Sequence, residues 1–268
     1  MATPTASLTQ LFDSCRESFP ASVKEDSWYL VVASAIISLS NPAQIGDLYV
    51  YLTNRLEPTS QEKRRLLDRR FRDLIMKQWI TVGVPRATVA LHGLSQAEKE
   101  GDVDLKPTKK YTALDAGNHK RGSDFLDVIY GSERTAVMFT QWGADMEWLM
   151  KDVIYGLFYA DDGVLDNLET ELLTYTAIVC QGLPVTIVNH LMGLKRMGVN
   201  AAEAEGITKC AQAVAEWAGQ DTSAWRPLSS SIEKHYKAIN DRHTRSGDRL
   251  KGLKMAFPVN QLSATLDR

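Results

Sequence analysis

The sequence predicts an all-α protein. Three observations carry that expectation. Apolar residues recur at helical spacing along most of the chain, Ala, Leu, Met, Glu, Lys and Arg are abundant, and no series of alternating strands interrupts them. The periodicity predicts helices over 6–18, 24–39, 43–56, 60–79 and 85–98, then over 122–130, 145–159, 167–181, 184–197, 201–218 and 229–244. Local chemistry marks several of their ends. Asn41-Pro42 and Leu183-Pro184 put proline at the first helical turn, where its missing N–H costs nothing. Thr59 or Ser60 is placed to cap the helix containing Glu62, and Gly198 suits the end of the helix before it.

Residues 100–122, EGDVDLKPTKKYTALDAGNHKRG, break the pattern and read as a long polar connecting loop. The segment from 219 to 268 reads as a C-terminal tail with one weak helix. A shift of 142 residues aligns Val31–Leu56 with Leu173–Gly198 without gaps, bringing Pro42 onto Pro184, Ile45 onto Ile187 and Leu52 onto Leu194. The expected organisation is therefore a single domain over 1–268. It holds one degenerate repeat at about 24–98, the loop, a second repeat at about 122–218, and the tail. Leu48 falls at the position of His190 and Ser38 at that of Cys180, so only the second repeat carries polar equipment.

Composition excludes several classes. With 44% hydrophobic and 24% charged residues the chain is ordinary globular material, and a net charge of −2 supplies no basic field for nucleic acid or anionic membrane. The longest apolar run, near Trp28 to Leu39, is too short to span a bilayer. The N-terminal residues lack a basic segment followed by an apolar one, which predicts a soluble cytoplasmic protein. Three widely spaced cysteines, Cys15, Cys180 and Cys210, argue against a disulfide framework. No Walker loop, dinucleotide fingerprint or His-Glu-x-x-His is present, so no metal or other cofactor is expected.

The chemistry-bearing stretch is Glu171 to Glu205. Glu171, Tyr175 and Ile178 share one helix face, and His190 shares another with Thr186, Leu194 and Met197. A short turn near Gly182 predicts antiparallel packing of the two helices. Glu171 lies roughly eleven residues before that turn and His190 roughly eight after it, an axial offset of only a few ångströms at about 1.5 Å per residue. A carboxylate beside the imidazole would fix its tautomer and suit it to proton transfer near neutral pH.

These residues, with YGLFYADDGVLDNLETELLTYTAIVC before the turn and LPVTIVNHLMGLKRMGVNAAEAEGI after it, resemble the carboxymuconolactone decarboxylase and alkyl hydroperoxidase D superfamily. The resemblance rests on Leu165-Asp166, Glu171-Leu172, and His190 followed by Gly198 and the acidic turn Glu203–Glu205. The upstream stretches RLLDRRFRDLIMKQWITVGVPRATVAL and RGSDFLDVIYG resemble fungal-type members, and the likeness covers roughly 28–218. It implies a fold of repeated helical units assembled as trimers or hexamers. In the hydroperoxidase branch a Cys-x-x-Cys precedes the histidine; here Leu183 and Thr186 occupy those positions and Cys180 stands three residues too early. Disulfide-cycling peroxidase chemistry needs two thiols and is not expected. The decarboxylase branch works by acid–base chemistry around a histidine.

The leading expectation is therefore a cofactor-independent enzyme acting on a small organic molecule by decarboxylation, isomerisation or dehydration. His190 would be general base or acid and Glu171 its orienting partner, with Tyr175, Thr186, Trp142 and Tyr155 binding substrate. A second reading makes Cys180 a single-cysteine redox centre. A third makes the chain a non-catalytic helical scaffold, with His190 a hydrogen-bonded core residue and the Trp142–Tyr159 aromatics ordinary core. The run Lys63–Asp73 reads as a solvated helix face and Asp161-Asp162 as a polar turn.

Overall fold

The computed structural model describes residues 6–24, 27–56 and 60–225. All lie in one unit, Met1–Tyr236; the second unit, Lys237–Arg268, and with it the helix expected at 229–244, falls outside the described residues. The described chain is all-helical, with no strand among its residues. In order come α1 (Ala6–Ser18), α2 (Ala21–Lys24), α3 (Trp28–Leu39), a 3₁₀ turn (Pro42–Gln44), α4 (Ile45–Thr53), α5 (Gln61–Val82) and α6 (Val84–Ala97). After a loop follow α7 (Asn118–Tyr130), α8 (Ser132–Trp142), α9 (Ala144–Trp148), a π-helix (Leu149–Tyr159), α10 (Asn167–Cys180), α11 (Pro184–Arg196) and α12 (Ala201–Trp217). No described helix is long and apolar enough to cross a membrane.

Two helices form the centre. Every residue of α3 from Trp28 to Ile37 is buried, as is every residue of α10 from Glu169 to Val179. A helix apolar on all sides is stable only when surrounded, and α3 packs on α10 and α12. The Ser34 hydroxyl donates to the Leu173 carbonyl at 2.7 Å, which shows how closely the two central helices approach. Ends follow local chemistry. Asp166 with Glu169 and Asn200 with Glu203 form complete capping boxes at the starts of α10 and α12. Gly198, at φ 95°, ends α11, and Val199 N–H reaches back to the Leu194 carbonyl at 3.0 Å, a Schellman closure.

The structure departs from the sequence expectation in three places. Residues 132–142, between the helices expected at 122–130 and 145–159, form α8. It sits between Gly131 and Gly143, whose φ values of 86° and 88° end one helix and let the next begin in a new direction. The segment expected to be one α-helix over 145–159 is α9 followed by a π-helix, in which Ala160 N–H donates to the Tyr155 carbonyl at 2.8 Å. This wide-turn helix lies against α7 at glycine: a Cβ on Gly122 would sit 1.8 Å from the Lys151 carbonyl oxygen, and one on Gly156 would sit 2.3 Å from that of Asn118.

The third departure concerns charge. Lys63–Asp73 is not a solvated face. Asp68 and Asp73 are buried, and Arg64, Arg65 and Arg69 bind the loop after α6. Arg64 pairs with Asp102 at 2.8 Å, Arg65 donates to the Gly101 carbonyl at 2.8 Å, and Arg69 pairs with Asp104. Asp161, expected in a polar turn, is fully buried. Its carboxylate accepts from the backbone N–H groups of Lys110 (2.7 Å), Tyr111 (3.1 Å) and Gly163 (3.0 Å). Beside it Lys77, also fully buried, donates to the Asp161 carbonyl (2.8 Å), the Leu165 carbonyl (3.2 Å) and the Thr170 hydroxyl (2.6 Å). Burial pushes the Lys77 pKa down to about 8 against the pull of Asp73. The long polar loop is thus held on ionic anchors, which its composition alone does not reveal.

Candidate functional site

The site grows from the α10–α11 hairpin. Gly182, at φ 65°, makes the turn, and Pro184 begins α11 with its fixed φ. The hairpin brings together the two residues that spacing singled out. His190 Nδ1 lies 2.9 Å from Glu171 Oε1 and 3.2 Å from Oε2, and each side chain is 2% exposed. Room for the carboxylate is left by Gly193, one turn beyond His190. A Cβ there would approach Glu171 Oε1 to 3.0 Å and Ile129 Cδ1 to 2.9 Å.

The other face of the imidazole meets a residue the sequence reading did not select. Tyr130, the last residue of α7, places its hydroxyl 3.3 Å from His190 Nε2, with the rings edge-on at 75°. Tyr155 follows, its hydroxyl 3.5 Å from that of Tyr130. Glu171, His190, Tyr130 and Tyr155 therefore form one polar string through an apolar interior. With Nδ1–H donating to the carboxylate, Nε2 keeps its lone pair for the Tyr130 hydroxyl, so Glu171 sets the tautomer. Tyr159, one turn beyond Tyr155, is buried with its hydroxyl unpaired among the described residues. Tyr130 ends a helix against Gly131 some sixty residues from His190, and no local pattern in the sequence signals that meeting.

Burial shapes the ionisation. It holds the Glu171 carboxyl above the ordinary range, with His190 opposing the shift through its charge and its hydrogen bond. Burial likewise raises Tyr130, Tyr155 and Tyr159, so all three are neutral hydroxyls near neutral pH. The sign for stability follows from the raised carboxyl. Its contribution is fully present below the unfolded carboxyl pKa and is lost as pH rises through the folded one. Glu171→Gln removes this titration while an amide oxygen still accepts from Nδ1–H. The denaturation midpoint of the variant is expected to fall less than that of the parent as pH climbs from 4 to 7. Parallel midpoint curves would contradict the assignment.

The remaining candidates separate. Tyr175 is fully buried one turn after Glu171, but its hydroxyl is taken by Thr208 at 2.8 Å, tying α10 to α12. Thr186 is half-buried one turn before His190 and makes no hydrogen bond to the pair. Trp142 is 48% exposed at the end of α8, its ring edge-on to Phe139 at 6.0 Å; the structure does not bring it to the pair. Cys180 ends α10, partly buried, with burial pushing its thiol pKa up, the opposite of an activated thiolate. No group of three or more His, Cys, Asp or Glu side chains is placed to hold a metal ion among the described residues. A surface groove of about 320 Å³ lies elsewhere, between α4 and α6, where Asp47, His92 and Gln96 line it.

No protein-family model, no curated protein and no solved structure matches this chain. The functional reading therefore stands on the geometry of the string and on the residues that carry the resemblance.

Proposed function

We propose that the protein is a cofactor-independent acid–base enzyme of the carboxymuconolactone decarboxylase-like kind, acting on a small organic molecule by decarboxylation, isomerisation or dehydration. One observation carries the reading: His190 is held by Glu171 through Nδ1 at 2.9 Å and presents Nε2 to a tyrosine hydroxyl at 3.3 Å. That is the arrangement of an oriented base with a proton-carrying neighbour. Glu171 fixes the tautomer and stabilises the imidazolium once Nε2 takes a proton. Tyr130, the least enclosed member, relays the proton toward substrate. The helix positions agree with the two repeated units that the resemblance implies. A shift of 142 residues carries α3 onto 170–181, where α10 runs 167–180, and α4 onto 187–195, inside α11. The resemblance also implies a trimer or hexamer. Trp142, Met146 and Trp148 are exposed apolar side chains in this region, and light scattering on the purified chain reads the subunit number.

The test is turnover of a panel of lactone carboxylates and β-keto acids, followed by NMR and by carbon dioxide release. His190→Ala is expected to lower kcat by about 10²–10⁴, the usual contribution of a positioned acid or base. Tyr130→Phe should lower kcat and leave KM nearly unchanged. A folded His190→Ala that turns over the same substrate at the parent rate sinks the assignment. A second reading is favoured by the 2% exposure of both His190 and Glu171: a scaffold whose string only fills the core. It expects no turnover in the parent and a loss of about 1–3 kcal/mol in His190→Ala, from the unpaired Glu171.

A further inference from the structure

Cys15 on α1 and Cys210 on α12 stand 195 residues apart in the chain and meet in the core, each 1% exposed. Their placement is reciprocal. Cys15 Sγ lies 3.9 Å from the Cys210 carbonyl oxygen, and Cys210 Sγ lies 3.5 Å from the Cys15 carbonyl oxygen. Each sulfur therefore rests on the other residue's backbone. The Ser18 hydroxyl lies 3.9 Å from Cys210 Sγ. Nothing in the acid–base reading uses this pair.

We propose that Cys15 and Cys210 are a redox pair that closes to a disulfide under hydroperoxide and ties the N-terminal helix to α12. Cys210 Sγ has the Ser18 hydroxyl as a polar neighbour at 3.9 Å, and we take it as the attacking thiolate. Its sulfur takes the terminal oxygen of hydrogen peroxide, the O–O bond breaks, and the leaving hydroxide gains a proton to become water. Cys15 then attacks the Cys210 sulfenic sulfur, the S–S bond forms, and a second water leaves with the Cys15 proton. Two thiols and one peroxide give one disulfide and two waters, each sulfur losing one electron. Neither sulfur faces solvent, so the reaction waits on movement of α1. The outer face of that helix, Ser14, Arg16 and Glu17, is exposed, while Leu8, Leu11 and Phe12 are buried. Cys180 stands outside this pair and is expected to keep its thiol.

The experiment treats the full chain with hydrogen peroxide, denatures it and alkylates the remaining thiols for intact-mass and peptide analysis. The expected product is lighter by two hydrogen atoms and keeps one alkylatable thiol of three, with a Cys15–Cys210 linked peptide that dithiothreitol releases. Its melting temperature should rise, because the link closes a 195-residue span. Oxidation should be faster in mild urea, and Cys180→Ser should behave as the parent does. Three alkylatable thiols after a peroxide dose that oxidises free cysteine, or a link that includes Cys180, overturns the proposal. So does separate sulfinic acid at Cys15 or Cys210 with no link. The peptide map on the parent chain decides the matter even if Cys210→Ser fails to fold.

Discussion

Gly122→Ala is expected to be among the most damaging single-methyl changes in the protein. The new Cβ would lie 1.8 Å from the Lys151 carbonyl oxygen and 2.8 Å from the Gly156 amide nitrogen. Both obstacles are main chain, so no side chain can rotate out of the way. Alanine gains up to about 1 kcal/mol over glycine inside a helix. Overpacking against backbone costs about 1–3 kcal/mol and at times more, and contacts this short belong at the upper end. The net loss should be about 2–3 kcal/mol, or a fall of several degrees in melting temperature for a chain of this size. The damage should also reach the site. α7 ends in Tyr130 and the π-helix carries Tyr155, so parting them breaks the hydroxyl pair now 3.5 Å apart. Faster hydrogen exchange in α7 would report this. A melting curve unchanged from the parent would show that the contact is slack.

Asp161→Ala is expected to cost about 3–5 kcal/mol, the range for breaking a buried charge cluster from one side. The change strips three backbone N–H groups of a charged acceptor, at 2.7, 3.0 and 3.1 Å. It also removes a negative charge from beside the buried Lys77 and from within 3.8 Å of Lys109 Nζ. Asp161→Asn separates the two effects. Its amide oxygen can still accept from Lys110 and Tyr111, so it should lose less than the alanine variant. Urea denaturation reads the difference, and limited proteolysis within 104–117 reads the release of the loop. Equal stability of alanine variant and parent would mean that the loop is held by its arginine pairs alone.

Much of the helical frame was legible because its causes are local. The apolar runs of α3 and α10, the prolines at 42 and 184 and the glycine at 198 act on their own neighbourhoods. The missed elements are those whose shape depends on a neighbour. The sequence SERTAVMFTQW buries only Thr135, Met138 and Phe139, a weak stripe that tertiary contact completes. The π-helix pattern looks like any helix, and its close approach to α7 depends on glycines 34 residues apart. The charged run on α5 was misread because alternating signs look the same whether their partners are water or a loop 36 residues away.

The candidate site divides along the same line. By itself the sequence determined that Glu171 and His190 lie on consecutive helices at nearly equal distance from one turn, and that no Cys-x-x-Cys stands seven and four residues before His190. A short hairpin leaves little freedom in register, so spacing along the chain becomes distance in space. Only the tertiary structure decided that the two side chains touch at 2.9 Å, that Tyr130 and Tyr155 extend them, and that Trp142 stands apart. The same packing brings Cys15 to Cys210. Those contacts join helices far apart in the chain, and the partner of a helix face is chosen by shape and burial that no periodicity encodes.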